Sequence, residues 1–207
     1  MKMLIVTALK EEARHFLERG QASEIARPTP QSRLYHLQNG AHLLCSGMGL
    51  QRMGSALAGL TTPPAWERVL LTGVSGGVVP DISIGTFIHA DRYLGPDSQE
   101  IYPPQWEPKW LPAFTATHAV KRGAYRSYLK PVTTVAERER AADLGALAVD
   151  MESLEVAAYC HRHELPLLSL RIVSDLAGES AFEEFKKHFK GVAAALQASL
   201  IPYLFNN

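Results

Sequence analysis

Carboxylates at the ends of apolar segments are the side chains in this sequence best placed to do chemistry. Glu11 and Glu12 follow the apolar run Met3 to Ala8, and Asp150 and Glu152 flank Met151 after Ala146 to Val149. Asp175 follows Ser174 after Leu167 to Val173, and Arg68 to Thr72 runs into Gly73-Val74-Ser75-Gly76-Gly77. In open α/β sheets ligands sit beyond the carboxyl ends of the strands. Acids from three separate segments are therefore expected on one rim, where burial raises a carboxyl pKa towards the range of a proton donor. Each residue also has a plainer reading. Glu12 and Glu152 suit the first turn of a helix, Asp175 suits an N-cap, Asp150 suits a rim without a role, and Gly76-Gly77 suits a tight turn.

Other chemistries find less support. His161 and His163 are two apart on a helical segment and point in different directions, and no H-x-x-x-H or C-x-x-C spacing is present, so no metal site is expected. Ser46 and Ser75 lack a G-x-S-x-G setting. The glycine cluster lacks the G-x-G-x-x-G spacing of a dinucleotide loop. Cys45 and Cys160 read as buried thiols rather than a disulfide.

The elements that must position these residues alternate. Strands are expected at Met3 to Ala8, Arg33 to Gln38, His42 to Ser46, Arg68 to Thr72, Gly85 to Leu94, Tyr128 to Val135, Ala146 to Met151 and Leu167 to Val173. Asn39-Gly40 marks a hairpin turn. Helices are expected at Leu9 to Arg19, Leu50 to Leu60, Ala136 to Leu144, Glu152 to His163 and Phe182 to Leu204, the last with a break near Pro202. Gly95 to Pro112, rich in Pro and Trp, is expected to be a long loop. Its Tyr102, Trp106 and Trp110 fit either a lid or subunit contact, or a loop pinned to its own core. Mostly continuous apolar strands alternating with helices predict an α/β fold, a three-layer αβα arrangement around a central mixed sheet.

The bulk composition fits one domain spanning residues 1–207. Zero formal net charge removes any reason to expect nucleic acid or an anionic membrane as a partner. The start of the sequence turns charged too soon for a signal segment, and no run approaches a membrane span, so a cytoplasmic location is expected.

Val149-Asp150-Met151-Glu152-Ser153, followed about twenty residues later by Arg171-Ile172-Val173-Ser174-Asp175, resembles the paired signature of the nucleoside phosphorylase and nucleosidase family. The branch it most resembles is that of the 5′-methylthioadenosine/S-adenosylhomocysteine nucleosidases. Ala8-Leu9-Lys10-Glu11-Glu12, Ser46-Gly47-Met48-Gly49 and Thr72 to Gly77 are similar to that branch's opening helix and two of its loops. The resemblance implies that Asp175 is the general acid protonating purine N7, as the ribose becomes oxocarbenium-like. By the same resemblance Ser174 orients Asp175, Glu152 accepts the ribose hydroxyls, Met151 packs on the sugar and Glu12 activates the attacking water. Ser75, Gly76 and Val132 would complete the substrate pocket.

The family's phosphorolytic members place an arginine two residues before the glycine cluster. Here that position is Leu71, which favours water over phosphate as nucleophile, although Arg52 or Arg92 stands as a substitute. Val74 replaces a small residue, Thr86 an aspartate and Asp150 a glutamate, and the region from Leu94 to Ala146 is short for the nucleosidases. The Asp150 variant also resembles the hopanoid-associated, adenine-releasing branch, and a futalosine hydrolase-like substrate belongs to the same chemistry. The resemblance thus implies hydrolysis of an adenine nucleoside substituted at the 5′ position, by a homodimer without a cofactor. The alternatives are a phosphorolytic purine nucleoside phosphorylase and a binding protein without turnover.

Overall fold

The computed structural model describes residues 2–60, 66–97 and 99–205. Its elements follow in the order β1 (Met3–Thr7), α1 (Lys10–Arg19), β2 (Ser23–Ala26), β3 (Arg33–His36), β4 (His42–Cys45), α2 (Leu50–Ala58), β5 (Arg68–Gly77) and β6 (Phe87–Leu94). Then come β7 (Glu100–Ile101), α3 (Leu111–Thr117), β8 (Val120–Ser127), α4 (Val135–Asp143), β9 (Ala146–Asp150), α5 (Ser153–Arg162), β10 (Leu167–Asp175) and α6 (Ala181–Phe205).

The continuous apolar strands are buried on both faces because alternate residues feed two helical layers. From β1, Leu4 and Val6 pack with Met53 and Leu57 of α2 and with Leu154, Ala157 and Cys160 of α5. Met3 and Ile5 point the other way, towards Ala13 and Phe16 of α1 and Leu196, Leu200 and Leu204 of α6. Leu70, Leu168 and Ile172 join this second layer, while Val69, Leu71 and Val173 join the first. The result is the expected three-layer arrangement around a mixed sheet.

One strand gives the sheet its form. Residues Arg68 to Leu71 of β5 pair in parallel with β1, whereas Gly76 and Gly77 pair antiparallel with β9. Along its other side β5 pairs with β10. Since β10 pairs with β6, β6 with β8 and β8 with β9, the strands β5, β10, β6, β8 and β9 form a closed ring. Strands β1, β4, β3 and β2 extend from it as an open sheet. The crease falls at Gly73, whose φ of +139° is open to glycine at little cost. The glycine cluster read as the end of a strand is thus part of the strand.

The other departures also have local causes. The apolar run Tyr128 to Val135 is not a strand; β8 ends at Ser127. Pro131 has no N–H to give a ladder, and Val132 is buried in a small cluster with Val149 and Ala177 instead. The eight residues of β8 hide their strand character behind two charges, Lys121 and Arg122, which pair at the surface with Asp81, Asp91 and Glu107. Helix α6 continues through Pro202 to Phe205. Its buried Gln197 ties it to α1, accepting the His15 N–H at 2.6 Å and donating to the Glu11 carbonyl at 2.9 Å.

The Pro- and Trp-rich segment, of which residue 98 lies outside the described residues, is pinned to the core. Gln105 bridges to Leu167, Trp110 stacks on Tyr203 of α6 at 5.0 Å, and Trp106 meets Trp110 edge-on. Both cysteines are free and buried. Among the described residues no helix is long and apolar enough to cross a membrane.

His89 of β6 is buried, and its Nε2 has no hydrogen-bond partner among the described residues. Burial, helped by the Arg122 charge, lowers its pKa from the ordinary value of 6.5. A depressed histidine pKa means that the unfolded chain binds the extra proton, so stability present above pH 6.5 falls as the pH drops below it. The raised carboxyls of the site act in the opposite sense, so the contribution of His89 is read as the wild type's change in urea midpoint between about pH 7.5 and about pH 5.5 relative to His89→Gln. Acidification should lower the wild-type midpoint relative to that of His89→Gln; an equal pH response in the two would remove His89 as a source.

Candidate active site

The carboxyl ends of β5, β9 and β10, the connection after β8 and the first turns of α6 enclose a cavity of 340 Å³. Seven of the residues anticipated from the sequence line it: Ser75, Gly76, Val132, Met151, Glu152, Ser174 and Asp175. Phe182 and Phe185 of α6 and Met48 of the loop before α2 add apolar wall, and Phe182 is 63% exposed at the mouth.

Asp175 closes β10. Its Oδ2 accepts the Ser174 hydroxyl at 2.9 Å and its Oδ1 the Ala177 N–H at 3.2 Å. Burial raises its pKa above the ordinary 3.8, against the opposing pull of these two donors. Asp175 thus has the character of a proton donor held in one orientation. A Cβ at position 76 would lie 2.8 Å from Asp175 Oδ1, so glycine there leaves the carboxyl its place.

Glu152 stands at the start of α5. Its Oε1 accepts the Gly49 N–H at 2.8 Å, and its Oε2 faces Arg171 Nη2 at 3.3 Å. Burial raises its pKa, with Arg171 opposing. Gly49 has a φ of +112°, so the Ser46 to Gly49 loop turns through glycine to present this N–H.

Arg171 was not assigned a role from sequence, yet it organises the site. It is 3% exposed in the middle of β10. Nη1 donates to Asp150 Oδ2 at 2.5 Å, Nε donates to the Val74 carbonyl at 3.1 Å, and Nη2 donates to the same carbonyl as well as facing Glu152. Burial works against its charge, but Asp150 and Glu152 outweigh that and hold the guanidinium protonated. The available signal was a cation inside the apolar run Leu167 to Val173, since a buried charge must be paired. Asp150, whose position in the sequence also suits a rim residue without a role, is its buried partner.

Glu12 is not among the residues lining the cavity. It is buried behind the crease of β5, where Oε2 accepts the N–H groups of Ala8 and Leu9 at 3.0 and 2.8 Å and Oε1 accepts that of Val74 at 2.8 Å. Burial raises its pKa, opposed first by the Arg171 charge. Its contact with Gly73 is close enough that a Cβ there would come within 2.6 Å of Oε1. Arg52 and Arg92 do not line the cavity either, and Arg92 donates to the Gly145 carbonyl at the start of β9. Among the described residues no group of three or more His, Cys, Asp or Glu side chains is arranged to hold a metal ion.

Residues 2–204 match the family model described as the phosphorylase superfamily. The chain belongs to that family. The futalosine hydrolase of Streptomyces coelicolor is 30% identical over 86% of this chain and 85% of its own length. The 5′-methylthioadenosine/S-adenosylhomocysteine nucleosidase of Mycobacterium bovis is 27% identical over 77% of this chain and 78% of its own. Among solved structures, the nucleosidase of Neisseria meningitidis in complex with methylthio-immucillin-A superposes with a TM-score of 0.86, at 20% identity and with both chains covered in full. The fold shared across that low identity is the nucleoside phosphorylase and nucleosidase fold.

Gly76→Ala tests the packing around Asp175. The added methyl must displace the carboxyl or the strand, a strain of about 1–3 kcal/mol. A drop in melting temperature is expected together with loss of nucleoside turnover, while binding of the free base is retained. Full turnover in a folded Gly76→Ala protein would show that the placing of Asp175 is not limiting.

Proposed function

We propose that this protein hydrolyses the N-ribosidic bond of an adenine nucleoside substituted at the 5′ position. The observation that carries the reading is one cavity holding Asp175, with its raised pKa, opposite the Glu152 carboxylate and an apolar wall of Met151, Val132 and Phe185. In this reading the purine lies by Val132 and Asp175 donates its proton to N7, so that the electrons of the breaking C1′–N9 bond settle on a neutral base. Ser174 keeps the carboxyl turned towards the base. Glu152 accepts the ribose hydroxyls, which rigidly places the sugar. Water adds to C1′ and gives up a proton, for which we assign Glu12. Support for Glu12 is its raised pKa and the lone pair left on Oε1, which accepts a single N–H.

Water is favoured over phosphate because phosphate needs several free cationic or N–H donors. Arg171, at the cavity floor, already spends four of its five N–H groups on Asp150, Glu152 and the Val74 carbonyl, which leaves no pair of them to grip a phosphate. Names of the relatives agree with hydrolysis. The relative named futalosine hydrolase supplies a second reading, in which the same cavity takes futalosine.

The test is release of free purine from 5′-methylthioadenosine, S-adenosylhomocysteine, adenosine and futalosine, with and without phosphate, by the wild type and Asp175→Asn. Phosphate-independent release is expected, reduced about 10²–10⁴-fold in the variant, the usual range for a general acid. Strict dependence on phosphate would overturn hydrolysis, and equal rates in the variant would overturn the role of Asp175. Because a raised pKa keeps Asp175 protonated to higher pH, the rate is expected to fall as pH rises through that pKa, while protonation of Glu12 gives a separate fall on the acid side. Asp175→Asn should lack the alkaline limb.

A further inference from the structure

Asp150 is buried, its side chain 1% exposed, and the mechanism above gives it no direct contact with substrate. It accepts Arg171 Nη1, the Ser127 hydroxyl at 2.6 Å, the Ser153 hydroxyl at 3.0 Å and the Ser153 N–H at 3.1 Å. Ser127 in turn accepts the Leu154 N–H at 3.0 Å, so the end of β8 and the start of α5 are both built around this carboxylate. Asp150 and Glu152 contact Arg171 directly, and Glu12 feels its charge from behind the crease. Three carboxylates therefore surround one guanidinium at the cavity floor.

We propose that Asp150 is the residue that selects the nucleophile, by caging Arg171 so that its charge and donors are closed to an anion. The inference rests on the hydrolytic reading. With Arg171 caged, a phosphate approaching C1′ meets a net negative floor and no free fork of N–H groups. Neutral water carries no such penalty. In hydrolysis the water oxygen bonds to C1′, the C1′–N9 bond breaks, Asp175 gives its proton to the purine and Glu12 takes one from the water. In phosphorolysis a phosphate oxygen would form the bond to C1′ as the C1′–N9 bond breaks, giving the 5-substituted ribose 1-phosphate and free purine. The cage decides between the two without touching either nucleophile, which makes Asp150 a positioning residue.

Asp150→Asn keeps the side chain's shape and an acceptor for Ser127 and Ser153, but removes the charge and turns Arg171 Nη1 free. Calorimetric titration with inorganic phosphate, which requires no turnover, is the primary measurement. Wild type and the charge-preserving Asp150→Glu are expected to show no binding, whereas Asp150→Asn should bind phosphate measurably, at least about tenfold more tightly than the detection limit set for wild type. Kinetically, the wild-type rate should be indifferent to phosphate. The Asn variant should either form ribose 1-phosphate or be inhibited by phosphate in competition with nucleoside; both outcomes report an opened anion site. A folded Asp150→Asn that ignores phosphate in both assays would overturn the proposal. So would measurable phosphate binding by wild type, which keeps the test decisive if the variant does not fold. Failure of the wild type to release purine from any nucleoside would overturn the hydrolytic reading instead, while the titration still judged the cage.

Discussion

A guanidinium buried in the middle of a strand is the constraint around which this site is arranged. Removing one partner of such a buried pair costs on the order of 3–5 kcal/mol, because the other charge is left uncompensated. Arg171 avoids that cost by taking acceptors from three elements at once. Val74 comes from β5, Asp150 from β9 and Glu152 from the start of α5. Each contact fixes one strand end against another, so the same interaction that satisfies a charge also brings the cavity-lining residues into register. Ser127, Ser153 and Gly49 extend this network to β8, α5 and the loop before α2.

The location of the network follows from the topology of β5. That strand belongs to an open sheet in its first half and to a closed ring in its second. Where one pairing gives way to the other, the backbone cannot satisfy both neighbours, and polar groups are left over. Glu12 accepts one of them, the Val74 N–H, and Arg171 donates to the carbonyl of the same residue. The fork in the sheet therefore creates backbone groups that need charged partners, and the charged partners create the site. Gly73 and Gly76 are the places where side chains would obstruct Glu12 and Asp175.

Most of this was legible in the sequence where a single periodicity governed a segment. Helices α1, α2, α4, α5 and α6 follow from their apolar spacing, and β1, β4 and β10 from continuous apolar runs closed by polar residues. Legibility failed where one segment served two ends. The run Tyr128 to Val135 is apolar because it walls a cavity and packs on α4, not because it pairs, whereas β8 carries surface charges that mask its strand. The short β2 and α3 carried no periodicity strong enough to be noticed. At the site, seven of the expected residues line one cavity, since strand ends and loops announce themselves by composition. Arg171 escaped notice because its partners lie 19 and 21 residues away in sequence and on other elements. Glu12 lies behind the crease rather than among the residues lining the cavity, and from sequence the two faces of a crease cannot be told apart.

Helix α6 spans roughly 37 Å at the usual rise per residue, with Phe182 and Phe185 at the cavity mouth and Tyr203 stacked on Trp110 at its far end. Gln197 bolts it to α1 between the two. One helix thus borders the cavity at one end and carries the aromatic stack that anchors the Pro- and Trp-rich segment at the other. The wall of the cavity and the anchoring of a distant segment are, in this architecture, joined by a single helix.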